Sequence, residues 1–384
     1  MAKNAKPMMN RTMSAKGPAS AETSGSLPAG GHGASGGKKV AIILVNYNGR
    51  QYLTDCLASL TKLDYPSEDY KIFFVDNAST DDSLDFVRRN FFGLEIIASK
   101  VNTGFAEGNN IGMSQALAAN FDYVFLINQD TITQPDCLKK LVAFAASQVE
   151  ISAVQPRLML YPDKDKVNSL GNSIHYLGFG FSSGGYQKFN NDLKPKEIAY
   201  ASGAAVLIKT EALQKIGLFD PDFFMYHEDL DLGWRLRLAG YKIFVLPAAV
   251  VYHKYEFSKS IKKYYYMERN RLLCLLENYK IGTLILIFPA WLVMEIGLFL
   301  FSLKSGFWKE KLKVYEYFLN FKNLGKIIRE RRARGAIRVR NDREVINLFT
   351  GKIEFQEIDN FILKNIANPI FNIYWQIIKH LIIW

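Results

Sequence analysis

Three carboxylates, Glu228, Asp229 and Asp231, stand close together in the stretch FDPDFFMYHEDLDLGWRLRLAG, which runs from Phe219 to Gly240. A helix that begins near Glu228 would place them in its first turn, where free backbone N–H groups and the helix dipole favour negative charge. The same spacing also suits chemistry, because Asp229 or Glu228 at the edge of a pocket could accept a proton from a substrate. The aromatic residues just before them would then line the approach to that pocket.

Other polar residues follow apolar runs elsewhere in the chain. Asp76 could form an Asx turn that leads into a helix, or it could accept a hydrogen bond from the imide N–H of a pyrimidine base. Asp130 could cap the following helix, or it could ligate a divalent cation that also takes oxygens from a nucleotide diphosphate and water. His253 could be a metal ligand or a histidine satisfied within the protein. The residue types alone leave these alternatives open.

The segments that position these residues alternate as in an α/β fold. Branched apolar runs predict strands buried on both faces, namely VAIILV, KIFFV, LEIIA and YVFLIN. Helical patterns separate them, from Tyr52 to Leu63 and again from Asp81. Such alternation is typical of βαβ units and a mainly parallel sheet, in which ligands bind beyond the carboxyl ends of the strands. That rule selects the ranges Asn46 to Gly49, Asp76 to Thr80 and Asn128 to Asp130.

Glycine and other small residues mark further places where a backbone could come close to a neighbour. VNTGFAEGNNIG lacks the dinucleotide fingerprint spacing, and its glycines could serve only to turn a loop and let a helix pack closely. In the later stretch YASGAAV, the small side chains around Gly203 would let a ligand approach the backbone. The segment from Ser152 to Lys196 is rich in glycine and aromatic residues, which predicts loops and hairpins over a cleft.

Composition limits the class of protein. The chain has 384 residues, 49% of them hydrophobic and 22% charged, so it can bury a sizeable core. Its net charge of +11 indicates an anionic partner, which could be nucleic acid, a phosphate ester or an acidic membrane face. The three cysteines are far apart and suggest neither a disulfide framework nor a zinc site. Residues 1–38 are rich in Gly, Ser and Ala without apolar periodicity, which predicts a disordered tail.

The composition shifts to apolar and basic after residue 260, where we expect a helical, membrane-associated C-terminal region over residues 261–384. Residues 281–303 are long enough to span a bilayer, but they contain Pro289 and Glu295. Basic residues flank this stretch on both sides and give no orientation. We therefore expect a segment that is kinked at Pro289 and returns to, or lies in, the cytosolic interface. A buried pair of core helices is the alternative.

Six of these segments together resemble the family 2 glycosyltransferases. In order they are IILVNYNG, VDNASTDDS, NTGFAEGNNIG, INQD, ASGAAVLIKTEAL and FMYHEDLDLGWRLRLAGY. They are most similar to rhamnosyltransferase-type members that act on lipid-linked saccharides. The resemblance implies a GT-A fold, which is a Rossmann-like, mainly parallel sheet flanked by helices, over residues 39–260. It also implies inversion at the anomeric carbon.

The resemblance further implies roles for single residues. Asp229 is the expected catalytic base, with Glu228 beside it, and Asp76 is expected to contact the nucleotide base. Asp130 and His253 are expected to bind a divalent metal, Mg²⁺ or Mn²⁺, that bridges the diphosphate. The remaining residues expected to bind the nucleotide-sugar are Asn46, Asn48, Asn102, Gly104, Asn128 and Gly203.

Two departures from the family pattern qualify these roles. The metal-binding motif is Asn-Gln-Asp rather than Asp-x-Asp, so we expect weak metal affinity. No QxxRW motif follows Asp229, which argues against a processive polysaccharide synthase.

The sequence therefore predicts an inverting glycosyltransferase in cell-surface polysaccharide synthesis. Its expected partners are a nucleotide-sugar donor, dTDP-rhamnose first, a lipid-linked saccharide acceptor and the anionic surface at the cytoplasmic face of the cell membrane. One alternative keeps the fold and changes the donor to a UDP-hexose or galactofuranose. Another, from a different class, is a non-catalytic nucleic-acid-binding protein, suggested by the net charge and the run from Arg329 to Arg334. We do not expect a nucleic-acid partner.

Overall fold

The computed structural model describes residues 37–189, 193–255, 261–353, 361 and 363–384. Within the span from Gly37 to Trp384 these residues form one compact unit. The disordered tail predicted for residues 1–38 lies outside the described residues, apart from its last two positions.

Strands and helices are numbered here in chain order. The strands are β1 (Val40–Asn46), β2 (Tyr70–Asp76), β3 (Glu95–Ala98), β4 (Tyr123–Asn128), β5 (Thr131–Thr133), β6 (Ile151–Leu160), β7 (Val167–Ser169), β8 (Asn172–His175), β9 (Gly180–Ser182), β10 (Lys196–Glu197), β11 (Ala205–Lys209), β12 (Lys242–His253) and β13 (Phe349–Thr350). The helices are α1 (Arg50–Leu60), α2 (Ser83–Asn90), α3 (Gly104–Ala118), α4 (Cys137–Ala146), α5 (Thr210–Ile216), α6 (Glu228–Leu238), α7 (Ile261–Asn278), α8 (Ile281–Lys304), α9 (Trp308–Leu319), α10 (Phe321–Ile337), α11 (Asp342–Val345) and α12 (Asn368–Ile378).

The central sheet has the strand order β10-β12-β6-β11-β4-β1-β2-β3. Strands β3, β2, β1 and β4 are parallel neighbours, β11 runs antiparallel to both β4 and β6, and β12 is parallel to β6. The predicted mainly parallel α/β sheet is thus confirmed. Register places Asn46 opposite Asp76 and Val45 opposite Asn128, so the polar ends of β1, β2 and β4 meet at one edge.

Glycines in α3 let that helix pack directly on the sheet. A Cβ atom at Gly112 would lie 2.5 Å from Cγ2 of Ile43, and one at Gly108 would lie 2.9 Å from Cγ1 of Val45. Real Cβ contacts are not that short, so these positions need glycine for close helix–strand packing. The close packing brings the first residue of α3, Gly104, to the carboxyl ends of β1 and β2.

The prediction of loops from Ser152 onward was wrong for the first part of that segment. Residues Ile151–Leu160 form β6, a buried strand in the middle of the sheet. The sequence pattern did not predict this strand because it contains Pro156, and proline lacks the N–H that a central strand needs. The structure accommodates Pro156 beside a register shift in β12 between Leu246 and Val250. Short strands and turns follow from β7 to β10, as the glycine content predicted.

The predicted return of the chain at Pro289 was also wrong. α8 continues without interruption from Ile281 to Lys304, with Pro289 inside it on the exposed side. Only the carbonyl of Ile285 loses its helical partner there, and the proline ring meets solvent rather than a neighbouring helix. Among the described residues, α8 is the one helix long and apolar enough to cross a membrane, and 22% of its most apolar window is buried.

The C-terminal helices share a hydrophobic core with the sheet. Trp234 of α6 meets Tyr279 and Phe349 edge-on, and Trp375 of α12 stacks on Tyr176 with ring centroids 4.7 Å apart. The buried residues of one cluster extend from β1 to the end of the chain. Within this core, α7 packs against α6, the helix that carries the acidic cluster.

Candidate active site

Asn46 and Asp76, at the adjoining ends of β1 and β2, are buried and hydrogen-bonded to each other. The Asn46 amide donates to Asp76 Oδ1 at 3.1 Å and to Ser79 Oγ at 2.9 Å, and the Ser79 N–H donates to Asp76 Oδ2 at 3.1 Å. The Asn46 Oδ1 atom has no hydrogen-bond partner among the described residues. A buried amide oxygen without a donor is unfavourable, so this atom marks a place where the N–H of a ligand could bind.

Two asparagines fasten the loops around these strand ends. Asn48 Oδ1 accepts from the N–H of Thr80 at 2.7 Å. Asn77, which is buried, donates to Asn102 Oδ1 at 3.1 Å and to the Gly104 carbonyl at 2.9 Å. Asn102 Oδ1 also accepts from the Gly104 N–H at 2.9 Å. The loop after β2 is therefore tied to the start of α3, and Asn102 and Gly104 stand beside Asp76.

The segment Asn128-Gln129-Asp130 joins the end of β4 to its neighbours. The Tyr47 N–H donates to Gln129 Oε1 at 3.0 Å, which links this segment to the end of β1. Asn128 takes part through its backbone, whose N–H donates to Ala204 at 2.9 Å and whose carbonyl accepts from Thr131 Oγ1 at 2.7 Å. Asn128 thus stands where the first aspartate of an Asp-x-Asp motif would be and contacts the protein through its backbone, while Gln129 occupies the middle position.

Asp130 and His253 lie together although they are far apart in the chain. His253 Nε2 is 3.3 Å from Asp130 Oδ1, and His253 Nδ1 is 2.9 Å from Asn168 Oδ1. If Asn168 accepts the Nδ1 proton, the neutral ring turns the lone pair of Nε2 toward the Asp130 carboxylate. A histidine ligand with its other nitrogen hydrogen-bonded to an oxygen is the usual arrangement at a metal site. Among the described residues, no three or more His, Cys, Asp or Glu side chains are arranged so that they could hold a metal ion together. Asp130 and His253 therefore fit a cation whose other ligands come from substrate and water.

Asp229 lies in the first turn of α6, as the sequence predicted, and against the small residues of YASGAAV. Its Oδ2 accepts from the Gly203 N–H at 3.0 Å and its Oδ1 from the Leu230 N–H at 2.8 Å. Each oxygen keeps a lone pair that can accept a further hydrogen bond. Burial raises the pKa of the Asp229 carboxyl, while the N–H groups of Gly203 and Leu230 oppose the rise. A basic carboxylate in this position is suited to accept a proton.

Glu228 is buried beside Asp229, and its Oε2 atom has no hydrogen-bond partner among the described residues. Burial raises the pKa of Glu228 well above its usual range, and the neighbouring Asp229 charge raises it further. When one of two adjacent buried carboxyls ionises, the second holds its proton more strongly. The two N–H donors favour the carboxylate form of Asp229, whereas Glu228 Oε2 has no donor among the described residues, so the environment favours the proton on Glu228.

Asp231, the third member of the acidic cluster, has a structural environment. It is fully buried and accepts from Arg235 Nε at 2.8 Å, from Asn278 Nδ2 at 2.9 Å and from Arg334 Nη2 at 3.0 Å. Arg334, Arg235 and these hydrogen bonds outweigh the effect of burial and lower the pKa of Asp231 to about 2. Asp231 thus connects α6 to α7 and α10, whereas Asp229 and Glu228 make no ion pair with any described residue.

A strained turn leads into α6. Phe224, Tyr226 and His227 have φ angles of 60°, 67° and 68°, which L residues rarely adopt. The side-chain amide of Asn270, on α7, donates to the carbonyl oxygens of Phe223, Met225 and Tyr226 at 2.9, 2.9 and 2.7 Å. The neighbouring Arg269 also donates to Phe223, at 3.2 Å. α7 therefore holds the backbone that ends at Glu228 and Asp229.

The sequence analysis missed Asn77, Asn168 and Asn270, which position other residues of this site. Asn77 stood inside VDNASTDDS and could have been noticed as a second polar residue after β2. Asn168 and Asn270 gave no local signal, because each acts on residues that are tens of positions away in the chain.

The chain resembles known proteins in both sequence and fold. Residues 41–217 match the family model described as glycosyl transferase family 2. Rhamnosyltransferase WbbL of Escherichia coli (strain K12) is 29% identical over 265 residues, which cover 61% of this chain and 94% of that protein. The N-acetylglucosaminyl-diphospho-decaprenol L-rhamnosyltransferase of Mycobacterium tuberculosis is 25% identical over 233 residues, which cover 56% of this chain and 75% of that protein.

The crystal structure of TarS from S. aureus superposes on 89% of this chain and 53% of its own, with a TM-score of 0.51 and 20% sequence identity. The fold is that of a GT-A glycosyltransferase. Residues 41–217 match a family 2 glycosyltransferase domain, and the chain is a glycosyltransferase, as the sequence predicted. The matched range ends before Asp229 and His253, so their roles rest on the geometry around them.

Proposed function

We propose that this enzyme transfers rhamnose from dTDP-rhamnose, with inversion at the anomeric carbon, to a lipid-linked saccharide used for cell-surface polysaccharide. The observation that carries the proposal is the position of Asp229, whose Oδ2 accepts from the Gly203 N–H at the start of α6 beside the buried Glu228. The choice of rhamnose follows the similarity to two rhamnosyltransferases. The choice of acceptor follows the name of the mycobacterial relative, which specifies a diphospho-decaprenol acceptor.

In this mechanism Asp229 removes the proton from an acceptor hydroxyl as its oxygen attacks the anomeric carbon. The new glycosidic C–O bond forms while the bond from the anomeric carbon to the diphosphate oxygen breaks on the opposite face. The proton remains on Asp229 and the nucleoside diphosphate departs with the bonding electrons. A positioned general base typically contributes about 10²–10⁴-fold to such a rate.

The polar strand ends would hold the donor. Asn46 Oδ1 and the Asp76 carboxylate can accept hydrogen bonds from a pyrimidine base, and the Asn102–Gly104 turn borders the same place. Asp130 and His253 would hold Mg²⁺ or Mn²⁺ together with the diphosphate oxygens. The metal would supply positive charge that stabilises the leaving group.

We further propose that the enzyme works at the cytoplasmic face of the cell membrane. The inner face of α8 packs on the protein through Thr283, Ile287, Ala290 and Met294. Its outer face exposes Ile281, Ile285, Phe288, Leu292, Val293, Ile296 and Leu300. A wide apolar outer face next to exposed lysines suits a helix that lies in the interface of an anionic membrane. Such a position would bring the enzyme to an acceptor that is anchored in the same membrane.

Two alternatives remain to be separated by experiment. The same fold could accept a UDP-hexose or galactofuranose donor, because the residues proposed to hold the donor would contact its base and diphosphate rather than its sugar. The nucleic-acid-binding alternative rested on the net charge and the arginine run. Within that run Arg334 is buried against Asp231 and Glu277, at 3.0 and 2.6 Å, and is not on the surface.

The proposal is tested by supplying the full-length protein with a polyprenyl-diphosphate-linked acceptor and dTDP-rhamnose, then with UDP-sugars. We expect metal-dependent release of dTDP together with a rhamnosylated lipid, and little product from the other donors. The Asp229→Asn protein should bind donor and fail to turn it over. If Asp229→Asn turns over at the wild-type rate, Asp229 is not the catalytic base. If only a UDP-sugar gives product, the donor is that UDP-sugar and not dTDP-rhamnose.

A further inference from the structure

α12 has two adjacent faces of different chemistry. Ile370, Ile373 and Ile377 are exposed and form an apolar stripe, which Leu381 continues beyond the end of the helix. Asn372, Gln376 and Lys379 form a polar face that is offset by about 100° around the helix axis, since successive residues differ by that angle. The helix packs beside α8, where Tyr374 Oη donates to the Leu286 carbonyl at 2.6 Å. The apolar stripe of α12 thus neighbours the apolar outer face of α8.

The polar face of α12 lines a cavity of about 560 Å³ between this helix and β13. We call it the α12 pocket. Its basic side chains are Arg343, Lys352, Lys379 and His380, and its amide side chains are Asn347, Asn372 and Gln376. No carboxylate lines the pocket among the described residues. The acidic side chains of nearby α11 are paired elsewhere, Asp342 with Arg338 and Glu344 with Arg340.

We propose that the α12 pocket binds the phosphate of an anionic phospholipid headgroup in the bilayer surface. Guanidinium and ammonium groups form strong, charge-assisted hydrogen bonds with phosphate oxygens, and amide N–H groups can donate to the same oxygens. The ligand is a lipid rather than free phosphate because the apolar stripe borders the polar face on one helix, so the acyl chains would continue along it. This inference rests on the proposed membrane attachment and adds a specific lipid contact to it.

The chain offers a matched pair of double variants. Lys352→Gln with Lys379→Gln removes two charges from the α12 pocket, and no hydrogen bond or ion pair of either side chain is lost among the described residues. Lys304→Gln with Lys309→Gln removes two charges from exposed lysines near the end of α8. General attraction to an anionic bilayer would be reduced similarly in both, by about fivefold for each lysine near the surface.

The experiment measures partitioning of the full-length protein between buffer and vesicles. Phosphatidylcholine vesicles alone test the apolar attachment, and added phosphatidylglycerol tests the pocket. We expect phosphatidylglycerol to strengthen binding of the wild type, and the pocket variant to lose at least tenfold more of this gain than the α8 variant. Both variants should bind phosphatidylcholine vesicles like the wild type.

If the two variants lose the same amount of the binding gained from phosphatidylglycerol, the α12 pocket does not bind the headgroup. The gain then reflects only general electrostatic attraction to the anionic bilayer. A third arm adds inorganic phosphate at millimolar concentration against chloride of the same ionic strength. If phosphate releases the wild type from phosphatidylglycerol vesicles but leaves the pocket variant unaffected, phosphate competes with the headgroup for the pocket, as the proposal expects. A pocket that takes only free phosphate would instead give the wild type and the pocket variant the same gain from phosphatidylglycerol, and the lipid assignment would be wrong. Failure of the wild type to bind any vesicle would instead overturn the membrane attachment itself, and the pocket inference with it.

Discussion

The side-chain nitrogen of Asn270 lies 2.7 Å from the carbonyl oxygen of Tyr226, two residues before the carboxylates of α6. Tyr226 has a φ of 67°, a conformation that costs an L residue about 1–2 kcal/mol. One amide on α7 thus stabilises a turn that the local sequence disfavours. Arg271, the next residue of α7, pairs with Glu268 and with Glu295 of α8. The turn before Asp229 is therefore connected by two helices to the outer apolar face.

Replacing Asn270 by leucine should impair catalysis more than donor binding. The change removes the side-chain donor of the Met225 and Tyr226 carbonyls, while Arg269 still donates to Phe223. The loss costs about 1–3 kcal/mol of stability and lets the turn shift Asp229. A misplacement of about 1 Å can lower a rate about 10²-fold. We expect kcat to fall by about that factor while KM for the donor changes little. Asn90→Leu, which removes one exposed amide bond to Phe86 on α2, is the control and should leave both constants unchanged. A purely structural role for Asn270 would lower the melting temperature without this split.

Asp229→Asn and Glu228→Gln should have opposite outcomes although the residues are adjacent. Asparagine cannot accept the acceptor proton, so the rate should fall by about 10²–10⁴-fold. Glutamine resembles the neutral acid form that burial imposes on Glu228, so Glu228→Gln should retain activity within severalfold. Single-turnover assays with both proteins measure this directly. If Glu228→Gln loses most of its activity while Asp229→Asn stays active, Glu228 is the catalytic base and Asp229 is not.

The Glu228→Gln protein should also differ in the pH dependence of stability. The folded-state pKa of Glu228 is raised above its usual 4.5, so its contribution to stability is complete below that pH. The contribution is lost as pH rises through the raised pKa, because a buried charge must then form. Glutamine cannot ionise, so the variant should gain stability relative to wild type as pH increases. Urea unfolding at several pH values measures the difference, and an unchanging difference would contradict a raised pKa.

The sheet was largely readable from the sequence because β1, β2 and β4 are continuous apolar runs that end in polar residues. β6 could not be predicted from the sequence, because Pro156 interrupts its apolar run. The structure accommodates this proline through the register shift in β12, which the sequence does not reveal. The acidic first turn of α6 was predicted, but three equivalent carboxylates could not be sorted without their neighbours. Arg334 lies 103 positions from Asp231 and decides that Asp231 is structural. Local pattern contains no information on such a contact.

Asp231→Ala should unfold or strongly destabilise the protein, in contrast to Asp229→Asn. Removing Asp231 leaves the buried Arg235 without a carboxylate partner among the described residues and leaves Arg334 with Glu277 as its close partner. Loss of one partner of a buried ion pair costs about 3–5 kcal/mol. The pKa of Asp231 is lowered from 3.8 to about 2, so its stabilising effect is present above pH 4 and lost as pH falls toward 2. Thermal unfolding of Asp231→Ala and Asp229→Asn at neutral pH compares the two. Equal melting temperatures would show that the pairs around Asp231 contribute nothing.

His253→Ala should weaken the response to metal without removing the fold. His253 and Asp130 are the side chains that would hold Mg²⁺ or Mn²⁺, and Asn168 orients the imidazole at 2.9 Å. We expect the metal concentration for half-maximal activity to rise about 10–100-fold in Asn168→Leu, the range found when a hydrogen-bond partner of a metal ligand is removed, and further in His253→Ala. Asn90→Leu, on the exposed side of α2, is the control. If the metal titrations of all three variants are identical, Asp130 and His253 do not bind the metal.

Gly104→Ala tests the contact between the donor loops and the turn before α6. A Cβ atom at Gly104 would lie 2.5 Å from both the Phe224 carbonyl oxygen and its ring, whereas a Cβ at Gly93 would meet nothing within 4 Å. Both glycines have a φ of 84°, so alanine would have the same backbone strain at either position. The difference between Gly104→Ala and Gly93→Ala therefore isolates the contact with Phe224. We expect Gly93→Ala to lose about 1 kcal/mol of stability and keep its activity. Gly104→Ala should lose activity as well, because the clash moves the turn that carries Asp229 away from the loop that would hold the donor. Equal kcat/KM in the two variants would mean that these two parts of the site move independently.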